Sequence, residues 1–264
     1  MVFGLSKSKR KEFDPKAATG PAGKRAYAIG DVHGRDDLLA GLLHEIRSHN
    51  ASQRSAETHI VFLGDLIDRG PNSRQVIDRL IDGAAPEETW WFVKGNHEEA
   101  LVRGLRGESN LLPDWLKHGG YDTAESYGLE KGALMGQPDD AIEHLLLSAI
   151  PKRHIEFLSE FNETVRFGDY LFVHAGIKPG VAPEQQTGKD LRWIRNEFLN
   201  SEANFGCIVV HGHTISETVQ IKSNRVGLDT GAYKTGILSA LWIEGTDKGT
   251  LQVAGAPDST FTDE

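Results

Sequence analysis

The chain has 264 residues, 39% of them hydrophobic and 25% charged, with a formal net charge of −9. That length suits one large domain, and no apolar run approaches the roughly 18 residues of a membrane span. The acidic field argues against broad binding to nucleic acid or anionic lipid. Cys207 is the single cysteine, which excludes an intrachain disulfide, a thiolate zinc cluster and a Cys-x-x-Cys redox pair. It opens the apolar run Cys207-Ile208-Val209-Val210 and reads as a small buried hydrophobe. Residues 1–24 are basic but lack the apolar core and cleavage site of a secretory signal, so a cytoplasmic location is expected. They are read as a flexible basic tail, residues 25–254 as one domain and residues 255–264 as a loose end.

Arg25 to Ile29 reads as a first strand, running into the loop Gly30-Asp31-Val32-His33-Gly34-Arg35. Asp36 and Asp37 suit a helix start, and Leu38, Leu39, Leu42, Leu43 and Ile46 recur at helical spacing. A second strand, His59 to Leu63, delivers Gly64-Asp65-Leu66-Ile67-Asp68-Arg69-Gly70 to a tight turn. A helix striped by Val76, Ile77, Leu80 and Ile81 follows, and then Trp90 to Val93 as a third strand stopping at Lys94-Gly95-Asn96-His97-Glu98. Strands alternating with helices predict an α/β fold whose ligands collect beyond the strands' carboxyl ends.

Residues 98–160 lack comparable strands and read as a helical insert. Thr164 to Phe167 and Tyr170 to Val173, separated by Gly168-Asp169, read as a hairpin ending at His174-Ala175-Gly176. Cys207 to Val210 leads to His211-Gly212-His213-Thr214. Thr218 to Ile221, Arg225 to Leu228 and Ile237 to Ile243 complete a second, mixed or antiparallel sheet. A two-sheet core flanked by helices is expected.

Asp31, His33, Asp65, Asn96, His174 and His213 are oxygen and nitrogen donors, each just past a predicted strand. Without sulfur, such a set suits manganese, iron, zinc or nickel, and two ions sharing a carboxylate would sit about 3.5–4 Å apart. Two such cations would make hydroxide available from a bridging water near neutral pH. Arg69 can grip phosphoryl oxygens with a rigid fork of donors, and Asp68 can orient a histidine. His211 competes with His213, since both lie at the end of one strand.

These motifs resemble the signature of the phosphoprotein phosphatase family of calcineurin-like metallophosphoesterases. The likeness runs from about residue 25 to 243 and is nearest to the compact bacterial and phage (lambda-type) serine/threonine phosphatases. It includes Trp115-Leu116-Lys117-His118-Gly119-Gly120 and Leu228-Asp229-Thr230-Gly231-Ala232. The resemblance implies a helix-flanked β-sandwich with a dinuclear centre, with manganese as the expected metal. One ion falls on Asp31, His33 and Asp65, the other on Asp65, Asn96, His174 and His213. It makes His97 the general acid, Asp68 its orienting partner and Arg69 a phosphate clamp, with Arg195, in preference to Arg192, as the second clamp.

The implied activity is metal-dependent hydrolysis of phosphoserine or phosphothreonine in proteins, with phosphotyrosine as a further candidate, by direct attack of the bridging hydroxide. A dinucleoside tetraphosphate hydrolase is the alternative. Asp68 weighs against it, because those relatives typically lack the acid in the Asp-Arg-Gly element. RNA 5′-end processing is a variant of the hydrolase reading. A non-catalytic binding scaffold would be expected to lack ligands, and none is missing here. No nucleic-acid or membrane partner is expected.

Overall fold

The computed structural model describes residues 13–257. Parallel strands β1 (Lys24–Ile29), β2 (Glu57–Phe62) and β3 (Glu88–Phe92) form one side of a five-stranded sheet. Helices α1 (Asp36–Ser52) and α2 (Ser73–Asp82) provide the crossovers. Alternation decides the faces: Tyr27, Ile29, Ile60 and Phe62 pack on Leu38, Leu39, Leu42, Val76 and Ile77 of these helices. Ala26, Ala28, Val61 and Leu63 point the other way, onto Tyr170, Phe172, Val210 and Leu228 of a second sheet. Both faces of β1 and β2 are therefore buried, which accounts for their nearly continuous apolar runs.

The expected helical stretch contains α3 (Asn96–Gly104), α4 (Leu111–Trp115), a π turn at Leu116–Gly120, α5 (Tyr121–Ser126), α6 (Lys131–Leu134), α7 (Asp139–Ala149) and α8 (Lys152–Ser159). Strands β4 (Val165–Phe167) and β5 (Tyr170–Phe172) form the expected hairpin. After α9 (Gly188–Trp193) and α10 (Asn196–Leu199) come β6 (Ile208–His211), β7 (Gln220–Ile221) and β8 (Arg225–Gly227). The second sheet has the order β4-β5-β6-β8-β7 and is mixed, with β5, β6 and β8 parallel. Its outer face carries Leu171, Val173 and Val209 against Leu191 and Phe198.

Three details correct the sequence expectation. After α11 (Ala232–Thr235), β9 (Ile237–Glu244) joins the first sheet, antiparallel to β1, rather than the second. An unexpected β10 (Asp247–Ala254) then pairs with β9 along its whole length. The amino-terminal tail also ends earlier than residue 24. Ala18 is buried, the Thr19 N–H donates to Asp169 Oδ2 at 2.9 Å, and the Gly20 N–H donates to the Gly245 carbonyl at 2.8 Å. The remainder of that tail (1–12) and most of the expected loose end (258–264) lie outside the described residues. Among the described residues no helix is long and apolar enough to cross a membrane.

Candidate metal centre

The loops that leave β1, β2, β3, β5 and β6 converge at the carboxyl ends of both parallel sets, and backbone hydrogen bonds lace them together. The Asp65 carbonyl accepts from the N–H groups of Val32 and His33 at 3.0 and 2.9 Å, and the His174 carbonyl accepts from Gly212 at 2.7 Å. His33, Asp65, Asp68, Arg69 and His213 all adopt positive φ, between 44° and 75°. Non-glycine residues keep such values only where their surroundings over-determine them. Gly212 is required by close approach: a Cβ there would lie 1.9 Å from Asp31 Oδ1.

Asp31, His33, Asp65, Asn96, His174 and His213 are all brought together and all at most 7% exposed. Ligand atoms of Asp65, His174 and His213 lie within 4.8 Å of one another, and so do those of His33, Asp65 and His97. Asp65 belongs to both groups. His174 Nε2 is 2.9 Å from Asn96 Oδ1 and 3.3 Å from Asp65 Oδ2, while His33 Nε2 is 3.7 Å from the same carboxylate oxygen. His33 Nδ1 is 2.9 Å from the Ile67 carbonyl and His174 Nδ1 is 2.8 Å from that of Leu63, so each ring turns its Nε2 lone pair inward.

Electrostatics fit a cation site. Burial, Asp229 and Asp65 push the Asp31 carboxyl well above its ordinary value. Burial acts in the same sense on Asp65, but the imidazoles of His174, His97 and His33 hold it well below. Burial pushes His213 down to about 2 and His211 to about 4, and lowers His33 strongly as well, leaving neutral imidazoles. Asp31 Oδ1 and His213 Nε2 are buried without a hydrogen-bond partner. Buried polar atoms are ordinarily paired, and divalent cations would satisfy these and relieve the crowding of carboxylates. The donor set fits two such ions.

The structure also separates the sequence alternatives. His211 turns its ring onto Phe198, with centroids 5.1 Å apart, and is not in either ligand group. Arg192 is committed to Glu99 at 2.8 Å and to Glu163. Arg195 instead lines a cavity of about 380 Å³ together with Arg69, Asn96, His97 and Trp193. Arg69 Nη1 donates to His33 Nε2 at 3.0 Å, the lone pair a cation would take, and its guanidinium lies 4.9 Å from the Tyr233 ring.

His97 Nδ1 contacts Asp68 Oδ2 at 2.6 Å, and His97 Nε2 lies 3.9 Å from Asp65 Oδ2. Burial disfavours the imidazolium, yet Asp65 and Asp68 raise the His97 pKa above its ordinary value.

Sequence reasoning assigned no part to Glu98, which is fully buried and knots two loops. Its Oε2 accepts from the Asp65 and Gly95 N–H groups, both at 3.0 Å, and its Oε1 from Leu66 at 2.8 Å. The capping-box position, three residues after Gly95, was the available signal. Asp229 was noted only as a likeness. Its carboxyl is 3% exposed, accepts the Gly231 N–H at 2.9 Å, and is pushed up to about 6 by burial.

The pattern that defines the calcineurin-like phosphoesterases matches residues 24–233. The chain belongs to that family. Calcineurin-like phosphoesterases are hydrolases that bind two divalent metals, and the described residues of this member include two candidate ligand groups that share Asp65. It is 28% identical over 234 residues to serine/threonine-protein phosphatase 2 of Escherichia coli K12, covering 82% of this chain and 91% of that protein. It is 26% identical over 227 residues to the asymmetrical bis(5′-nucleosyl)-tetraphosphatase PrpE of Oceanobacillus iheyensis, covering 77% and 82%. A solved structure with a provisional diadenosine tetraphosphatase assignment superposes with a TM-score of 0.61 at 21% identity, covering 89% of this chain and 98% of that one. That likeness concerns the fold.

Proposed function

We propose that this phosphoesterase hydrolyses phosphoserine and phosphothreonine in proteins, with a phosphorylated protein as its partner and manganese as its native metal. The observation that carries the reading is the 2.6 Å contact between His97 and the buried Asp68. A serine or threonine alkoxide is a strong base and leaves poorly unless protonated, whereas the nucleotide phosphate expelled from a dinucleoside polyphosphate is a weak base and leaves unaided. A positioned general acid therefore benefits a protein monoester far more than a dinucleotide.

Asp31, His33 and Asp65 would hold one cation, and Asp65, Asn96, His174 and His213 the other. When bound, the pair supplies Lewis-acid activation of a water and of the phosphoryl oxygens. Arg69 and Arg195, which both line the cavity, orient the phosphoryl group through charge-assisted hydrogen bonds. A water oxygen forms the new bond to phosphorus as the ester P–O bond breaks in line. His97 Nε2 gives its proton to the leaving oxygen, while Asp68 fixes the ring through Nδ1. The products are the free hydroxyl side chain and inorganic phosphate, with no phosphoenzyme. Rapid-quench trapping of a covalent phosphoryl-enzyme would contradict that route.

The named relatives support a second reading, hydrolysis of dinucleoside tetraphosphates, since the PrpE protein of Oceanobacillus iheyensis carries that name at similar identity. Turnover of a phosphoserine peptide, a phosphotyrosine peptide and diadenosine tetraphosphate by metal-stripped protein resupplied with manganese separates the two. The phosphoserine peptide is expected to have the highest kcat/KM. Faster cleavage of the dinucleotide would reverse the assignment.

A further inference from the structure

Asp68 is fully buried, and most of its hydrogen bonds come from the helical stretch rather than from the strand loops. Its Oδ1 accepts the Thr123 hydroxyl at 2.6 Å, and its Oδ2 accepts the Trp115 indole N–H at 2.7 Å beside His97. Its own N–H donates to Thr123 Oγ1 at 2.9 Å and to Ser73 Oγ at 3.0 Å. Thr123 is 0% exposed and Trp115 2%. Between those residues the helical segment kinks at Gly119, φ 109°, whose carbonyl accepts the Arg69 N–H at 3.1 Å. A Cβ on Gly119 would lie 2.6 Å from Arg69 Cγ. Residues 115–123 thus grip two consecutive β2-loop residues, both with positive φ, 75° and 71°.

We propose that Trp115 and Thr123 are positioning residues for the proton-transfer step. They hold the Asp68 carboxylate in one orientation, and through it the His97 ring, so that Nε2 faces the leaving oxygen. This rests on the reading of His97 as the general acid. A carboxylate with two oxygens and one imidazole partner would otherwise be free to rotate, and misalignment of an acid is costly only where the leaving group needs its proton. Thr123 is not among the residues lining the cavity and acts through Asp68; Trp115 lines the cavity and also donates to Asp68. A purely architectural role would instead lower stability and act on every substrate alike.

The test uses full-length protein loaded with manganese and the variants Thr123→Val, Thr123→Ser and Trp115→Phe, with His97→Ala as reference. For each, kcat and KM are measured on a phosphoserine peptide and on p-nitrophenyl phosphate, together with bound metal per chain and Tm. General acids contribute about 10²–10⁴-fold, so partial misplacement in Thr123→Val and Trp115→Phe is expected to lower kcat on the peptide about tenfold. On the activated aryl ester the loss is expected to stay below about twofold, with KM and metal content unchanged. Thr123→Ser, which keeps the hydroxyl, restores peptide kcat to within about twofold of the original. Equal losses on both substrates, or no rescue by serine, would overturn the proposal. If His97→Ala itself shows no such selectivity, the acid reading fails and this inference with it. If His97→Ala is selective and the Thr123 and Trp115 variants are not, the inference alone fails. Should Trp115→Phe not fold, the comparison of valine with serine at position 123 decides.

Discussion

Truncating Glu98 to alanine removes the acceptor that joins the β2 and β3 loops. Three backbone N–H groups, those of Asp65, Leu66 and Gly95, donate to its carboxylate within 3.0 Å, and Ile67 adds a fourth, longer contact at 3.4 Å. The side chain is 0% exposed, so the donors left behind are buried too. An unsatisfied buried donor costs about 1–3 kcal/mol, and water entering the vacated space offsets part of that. A loss of about 3 kcal/mol follows. For a domain of this size it corresponds to a Tm lower by about 6–12 °C. Glu98→Gln should lose less, because the amide oxygen can keep the Asp65 and Gly95 donors while the amide nitrogen faces the Leu66 N–H. Urea unfolding of metal-stripped protein measures the effect, with an unchanged m-value as the control for two-state behaviour. Since Asp65 is the shared carboxylate, manganese affinity should also fall by about 10–100-fold in Glu98→Ala, as for loss of other ligand-supporting contacts. An alanine variant within about 1 kcal/mol of the original protein would refute the reasoning.

Asp65→Asn should reduce bound manganese from two ions per chain to fewer than one, measured by elemental analysis, whereas Asp31→Asn should spare the second ion. Arg195→Ala should raise KM about tenfold with metal content intact, because a charge-assisted contact to phosphate is lost. Arg192→Ala should instead lower Tm, since it removes the 2.8 Å ion pair of Glu99, whose side chain is 11% exposed and is left with only Arg103 and the Trp193 indole N–H. Acid unfolding gives a further check at Glu88. Burial raises its pKa, but hydrogen bonds from Arg47, Ala85 and Trp90 outweigh burial and hold it below the ordinary value. A depressed folded-state pKa contributes stability that is complete above the ordinary glutamate range and is lost as pH falls through the folded value. Glu88→Gln should therefore flatten the dependence of stability on pH in that acidic window, as urea midpoints between pH 3 and 6 would show.

Much of the fold was legible because β1 and β2 are buried on both faces and so read as nearly continuous apolar runs between turn residues, while the edge strand β3 was legible from its aromatic run Trp90-Trp91-Phe92. β10 was missed for the opposite reason. It is an edge strand whose residues alternate between exposed and half-buried, and Asp247-Lys248-Gly249-Thr250 looks like a polar connection. β9 was recognised as a strand but put in the wrong sheet, because pairing with β1 spans more than 200 residues and leaves no local trace. Asp36 opens α1 as expected and also pairs with Arg79 on α2 at 2.6 Å, a contact that no local pattern announces.

The candidate ligands were legible by kind and order: short motifs of carboxylates, amides and imidazoles, each placed just after a strand, are set by chain chemistry and strand length alone. Orientation was not. His211 and His213 are equivalent as residues near a strand end, and only packing sends one ring to Phe198 and the other toward His174. Arg192 and Arg195 differ in the same way, by a fixed ion pair that claims one and leaves the other facing the cavity. Sequence by itself determined which chemistry this protein can support. Tertiary structure decided which atoms point at one another and which distant helix holds them there, because side-chain direction depends on neighbours that the chain brings in from far along its length.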